Sequence, residues 1–129
     1  MIERVNWEDI EKFVTEIDNL HKEKHFTGVY GLARGGLIPA IMISYKLSIP
    51  LLQAPCRGCL IVDDIADTGR SLSHYILGRT NDIKYFIATI YYSHQSIVRP
   101  DYYMKEKEDN KWVVFPWEKI VSDTEIIKS

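Results

Sequence analysis

The chain has 129 residues, 46% of them hydrophobic and 26% charged, the proportions of a folded domain with a buried core rather than of a disordered segment. Sixteen basic against eighteen acidic residues leave a net charge of −2, which excludes the basic excess behind non-specific nucleic-acid binding but not a small anion site. The first nine residues hold no apolar run of the signal-peptide kind, and the longest apolar stretch, Leu37 to Ile43, is broken by Pro39 and too short for a bilayer. One soluble, cytoplasmic domain over residues 1–129 is expected.

Trp7, Ile10, Phe13, Val14, Ile17 and Leu20 recur at helical spacing behind Asn6, with Glu8 and Asp9 in the first turn, which predicts an amphipathic helix. His21 and His25 stand four apart near its end, and with no third ligand nearby they read as a solvated pair. Phe26 to Leu32 reads as a short strand running into Ala33-Arg34-Gly35-Gly36. Leu37 to Leu47 follows as a nearly all-apolar helix, with Pro39 tolerated in its first turn. Leu51 to Ala54 is a short strand candidate. Cys56 and Cys59 form a lone C-x-x-C with no second pair, most simply a reduced thiol pair at the mouth of a strand.

Cys59 to Val62 is an apolar run that ends in Asp63-Asp64. Thr68 to Leu77 reads as a helix with Leu72, Tyr75 and Ile76 inward and Gly78 as a stop. Lys84 to Tyr92 predicts the longest strand, apolar without alternation, as expected when both faces are covered. Lys105 to Lys111 reads as a solvated loop, followed by a short aromatic strand closed by Pro116. Apolar strands alternating with helices argue a parallel α/β sheet with helices on both sides.

Ligands in such sheets bind beyond the carboxyl ends of the strands. The run Leu60-Ile61-Val62-Asp63-Asp64-Ile65-Ala66-Asp67-Thr68-Gly69-Arg70-Ser71 places three carboxylates at one strand end, where they repel each other and serve no packing. It then feeds a polar turn and a helix start, whose free N–H groups, dipole and hydroxyls suit a phosphate. Acceptors for hydroxyls or a metal, followed at once by donors for a phosphate, suit a ribose 5-phosphate. The plainer alternative is a pair of solvated turn aspartates with Asp67 as a helix cap. No G-x-G-x-x-G or G-x-x-x-x-G-K-[ST] is present.

The run Leu60 to Ser71 resembles the phosphoribosyl pyrophosphate (PRPP) signature of the type I phosphoribosyltransferases. Gly31 to Pro39 is similar to the family's pyrophosphate loop and the helix after it. Arg99-Pro100-Asp101-Tyr102-Tyr103 and Trp112 to Glu118 resemble the xanthine-guanine and hypoxanthine branch, the latter its purine-binding hood. The resemblance implies a three-layer α/β fold with a mainly parallel sheet and a small C-terminal hood. It implies transfer of the 5-phosphoribosyl group from PRPP to a 6-oxopurine, giving a nucleoside monophosphate and pyrophosphate. Asp63 and Asp64 would take the ribose hydroxyls, and Asp64 would lie near Mg²⁺, with Glu118 near a second metal. Arg34 and the Gly35 amide would hold the pyrophosphate. Thr68, Gly69, Arg70 and Ser71 would cradle the 5-phosphate. Asp67 would be the general acid/base at the purine N7 edge. Trp112 would stack on the base, the Val113 backbone would read its edge, and Trp117 would belong to the core.

Two departures from the family's pattern stand out. The long mobile arm before the acidic strand is reduced to Leu51 through Gly58. The Lys that the purine branch places after the long strand is replaced by Ser93 or His94. The short connection is expected to put Cys56 and Arg57 at the mouth of the site. It also predicts a homodimer, with Leu51, Leu52 and Pro55 meeting a partner that partly covers that site. The competing reading is a module of the same fold that binds PRPP or a nucleotide with little or no turnover.

Overall fold

The computed structural model describes residues 1–77 and 84–118. Its elements are β1 (Ile2–Arg4), α1 (Trp7–Lys24), β2 (Val29–Gly31), α2 (Leu37–Leu47), β3 (Leu60–Ala66), α3 (Arg70–Leu77), β4 (Phe86–Tyr92), β5 (Tyr102–Glu106) and β6 (Trp112–Val114). A four-stranded sheet runs β2-β3-β4-β5, parallel at every pairing, and β1 pairs in parallel with β6 as a separate ribbon.

Helix α1 starts where Asn6 and Asp9 exchange side-chain bonds with each other's backbone N–H, a reciprocal cap that satisfies two orphan donors. Its inward face is Ile10, Phe13, Val14 and Ile17, while Trp7 is half exposed instead of buried. Helix α2 has the predicted bounds, and Pro39 stays in its first turn.

Alternate residues of β3 serve opposite faces. Leu60 and Val62 join the core formed with α1 and α2, and Ile61 packs with Leu72 of α3 on the other side. The architecture is therefore helix, sheet, helix, as the sequence predicts. The expected stop at Gly78 lies outside the described residues, as do the side chains of Tyr75 and Ile76. Among the described residues no helix is long and apolar enough to cross a membrane.

Four expectations change. The strand at Leu51 to Ala54 shrinks to a single parallel bridge from Leu51 to Val29. The helix expected from Thr68 begins at Arg70, which leaves Thr68 and Gly69 in the turn. The solvated loop expected from Lys105 starts later, because Lys105 and Glu106 belong to β5, an edge strand whose charges face solvent. The hood is not purely C-terminal: β1 supplies half of its ribbon, with Ile2 opposite Trp112 and Glu3 opposite Val113.

Glu3 anchors that ribbon. It accepts from the Tyr91 hydroxyl through a very short bond and from Lys105 Nζ at 3.0 Å, with Lys111 Nζ 3.7 Å away. Burial works against its charge, yet these bonds and the two lysine charges hold Glu3 below the usual carboxylate range. Burial first, and the contact with Glu3 second, push the Tyr91 hydroxyl up.

Candidate active site

The acidic end of β3 is strand, not turn. The sequence ends the strand at Val62, but β4 carries the pairing onward, with Asp63 opposite Thr89, Ile65 opposite Tyr91 and Ala66 opposite Tyr92. On the other side β2 stops at Gly31, opposite Val62. Beyond Val62 that edge of β3 is open, and the segment 32–36 turns into it. Leu32 N–H donates to the Val62 carbonyl at 2.9 Å, and Gly36 N–H to the Leu32 carbonyl at 2.8 Å. The Ala33–Arg34 peptide is cis. A methyl group at Gly35 would overlap the Asp64 carboxylate, and the missing side chain lets this loop lie directly against the acid. The two segments predicted to bind pyrophosphate and ribose thus share one wall.

Asp63 and Asp64 are both half-buried. Asp63 Oδ1 accepts from Asp64 N–H at 2.9 Å, and Asp64 Oδ1 from Ile65 N–H at 2.8 Å. Burial first, and the Asp64 carboxylate second, push the Asp63 carboxyl up to about 8. Among the described residues the ion pairs lie elsewhere, and none reaches this pair. Adjacent carboxylates with no cation paired to them among the described residues suit a hard divalent ion such as Mg²⁺. No group of three or more His, Cys, Asp or Glu is placed to cage one among the described residues. Mg²⁺ is commonly bound by one or two carboxylates, its remaining positions filled with water and substrate phosphate.

The turn after β3 faces the same end. Gly69 has φ +82°, and a side chain there would overlap Ser96 Oγ and the Ile97 and Val98 amides. Thr68 Oγ1 accepts from Arg70 N–H at 3.4 Å, and α3 then begins with Arg70 and Ser71 exposed. First-turn N–H groups of a helix have no partner within it, so the Gly69 and Ser71 amides and the positive dipole end of α3 would suit a phosphate. Asp67 precedes this turn, half-buried, with Oδ1 accepting from Gln95 Nε2 at 2.9 Å.

A cavity of about 700 Å³ is lined by Arg34, Gly35, Ile38, Asp64, Trp117 and Glu118. Glu118 therefore reaches the site, but its Oε1 accepts from Phe115 N–H at 2.8 Å, which gives it a structural task as well. Trp117 stacks on Phe115 with centroids 5.1 Å apart and also lines the cavity, so it is not purely a core residue. Trp112 lies outside that lining with half its surface exposed on β6, and Val113 beside it is half-buried. Ser93 is buried at the end of β4, its N–H donating to the Ala66 carbonyl at 2.9 Å. His94 is exposed and pairs with Glu106 at 3.2 Å.

The short connection before β3 does not reach the site. Gly58 N–H donates to the Lys84 carbonyl and Gly58 O accepts from Thr27 N–H, so Arg57 and its neighbours sit at the amino ends of the strands. The expectations that Cys56 and Arg57 lie at the mouth, and that a partner meeting Leu51, Leu52 and Pro55 would cover the site, are corrected. A connection this short closes directly onto the sheet and has no length left to fold back. Both cysteines are free, and burial pushes the Cys59 thiol up.

No protein-family profile matches the chain. A xanthine-guanine phosphoribosyltransferase of Cereibacter sphaeroides is 30% identical over 70% of this chain and 68% of its own length. The chain belongs to the purine branch of the type I phosphoribosyltransferases. A second xanthine-guanine phosphoribosyltransferase, from Chromohalobacter salexigens, is 26% identical over 88% of this chain and 82% of its own. Among solved structures, a purine phosphoribosyltransferase from Pyrococcus horikoshii superposes with a TM-score of 0.80 at 27% identity, covering 93% of this chain and 96% of that one. Gln95 is the site residue that the sequence reading missed; its only signal was its place in the polar run Ser93 to Ser96 after the longest strand.

Proposed function

We propose that this phosphoribosyltransferase joins PRPP to a 6-oxopurine (guanine, hypoxanthine or xanthine), forming the nucleoside monophosphate and releasing pyrophosphate. The observation that carries this reading is the shared wall of the Gly35 loop and Asp64, continued by Asp67 and the anion-binding start of α3. In the reaction the bond from C1′ to pyrophosphate breaks, a bond from C1′ to a purine nitrogen forms, and the base loses a proton.

Asp63 and Asp64 take the ribose hydroxyls, and the negative charge this pair carries favours the positive sugar carbon of the transition state. Asp64 would hold Mg²⁺, with Glu118 of the same cavity near a second metal; the metal would supply charge that neutralises the pyrophosphate. Arg34 and the Gly35 amide hold the pyrophosphate, and Thr68, Gly69, Arg70 and Ser71 the 5-phosphate. Asp67 is the general acid/base at the purine. Trp112 stacks on the base, with the Val113 backbone and the Ser93 turn at its edge.

The enzyme works in the cytoplasm, where its two free cysteines stay reduced. It is a homodimer, a reading supported by the exposed stripe Leu37, Ile41 and Tyr45 on α2, whose first turn borders the cavity. Light scattering that returns a dimer supports that assignment, and a monomer at assay concentration removes it.

Pyrophosphate release from PRPP and Mg²⁺, measured with each purine base in turn, tests the function. Release that depends on a 6-oxopurine is the expected result. The short connection before β3 favours one other reading, a PRPP-binding module without turnover; PRPP binding with no base-dependent release would establish it.

A further inference from the structure

Asp67 is held from outside its own loop. Its neighbours on both sides accept backbone bonds from one turn after β4: Ser93 N–H donates to the Ala66 carbonyl and Ile97 N–H to the Thr68 carbonyl, each at 2.9 Å. Ser96 N–H closes that turn on the Ser93 carbonyl at 2.9 Å, with His94 and Gln95 at its two central positions. Ser96 Oγ donates to the Val98 carbonyl at 2.7 Å, and the missing side chain of Gly69 admits Ser96, Ile97 and Val98. The 93–98 segment is therefore bonded to the chain on each side of Asp67. From this frame Gln95 Nε2 donates to Asp67 Oδ1 at 2.9 Å. An ionised carboxylate only accepts, so the amide's NH₂ must face it. His94, the other central residue, turns instead to Glu106.

We propose that Gln95 is a positioning residue for Asp67, fixing the carboxylate by Oδ1 so that Oδ2 is presented to the base. A neutral amide suits this task. It orients the acid without the full opposing charge that Lys or Arg would set against a group that must exchange a proton. The inference rests on the reading of Asp67 as the general acid/base.

The test is a double-mutant cycle on the full chain, with kcat, KM for each substrate and thermal midpoints measured for every variant. Loss of one hydrogen bond to a charged group at an exposed site predicts that Gln95→Ala lowers kcat about 10-fold. The KM for PRPP and the thermal midpoint stay near those of the parent. Gln95→Glu, which sets a like charge against Asp67, lowers kcat further. In an Asp67→Asn background Gln95→Ala has no additional effect, because the group it positions is gone. A parental kcat in Gln95→Ala, or an equal loss in the Asp67→Asn background, overturns the positioning role. An Asp67→Asn enzyme with full turnover overturns the acid/base reading as well, so the two failures are distinguishable.

Discussion

The proposed sugar-phosphate half of the site comes from one uninterrupted run, Asp63 to Ser71, in which strand end, turn and helix start follow one another. The proposed base half is assembled from Ser93 after β4 and Trp112 and Val113 on β6. In the first half local backbone geometry orders the groups: β3 aims the acids, Gly69 turns the chain, and α3 supplies the amides. In the second, the position of each group depends on contacts far apart in sequence, above all β1 pairing with β6 and Glu3 holding Tyr91. A contiguous site survives changes elsewhere in the fold, whereas an assembled one answers to every contact that sets its parts.

The largest effect that would break this division is at Asp67. Asp67→Asn should lower kcat about 10²- to 10⁴-fold, the range for losing a general acid/base, while calorimetry shows PRPP binding retained. Loss of binding and turnover together would make Asp67 part of the sugar-phosphate scaffold instead. On the base side, Trp112→Ala should raise KM for the purine by about 5- to 150-fold, the equivalent of 1–3 kcal/mol of stacking, and leave KM for PRPP nearly unchanged. If Trp117→Ala produces that selective loss and Trp112→Ala does not, the ring that lines the cavity is the stacking one.

Much of the fold was legible because its signals are local. The Asn6 and Asp9 cap and the 3.6-residue spacing marked α1, and an apolar run bounded by Gly36 and Ser48 marked α2 with its true limits. The adjacent acids Asp63 and Asp64 stood out for the same reason, although β3 runs four residues past the predicted end because β4 supplies partners that no local pattern reveals. Strands β1 and β5 left little trace. Ile2 to Arg4 is too short to alternate, and the Lys105 and Glu106 charges that protect an exposed edge look like loop. Gln95 was invisible because a polar residue in a polar turn carries no mark of what it touches.

Smaller effects sharpen the comparison from the stability side. Gly69→Ala should cost about 1–2 kcal/mol for the left-handed backbone alone, with more from the overlap with Ser96. Its thermal midpoint should fall by several degrees, whereas an unchanged midpoint would mean that the 93–98 segment is not seated on the phosphate turn. Glu3 should give the smallest effect and one that depends on pH. Its carboxyl is depressed in the folded state, so its contribution is complete above the ordinary carboxylate range and is lost as pH falls through the depressed value. The thermal midpoint of Glu3→Gln should lie below the parent's at neutral pH and converge with it in acid. A gap that stays constant across pH would remove the charge from the account of the hood.

The central claim is that the acidic end of β3 and the turn after it hold PRPP as one unit. Calorimetric titration of PRPP in the presence of Mg²⁺ tests it most directly, with the parent chain set against the Asp63→Asn/Asp64→Asn double variant. The account predicts saturable binding to the parent that collapses in the double variant while its fold, followed by thermal melting, is kept. Undiminished affinity in a folded double variant would contradict it.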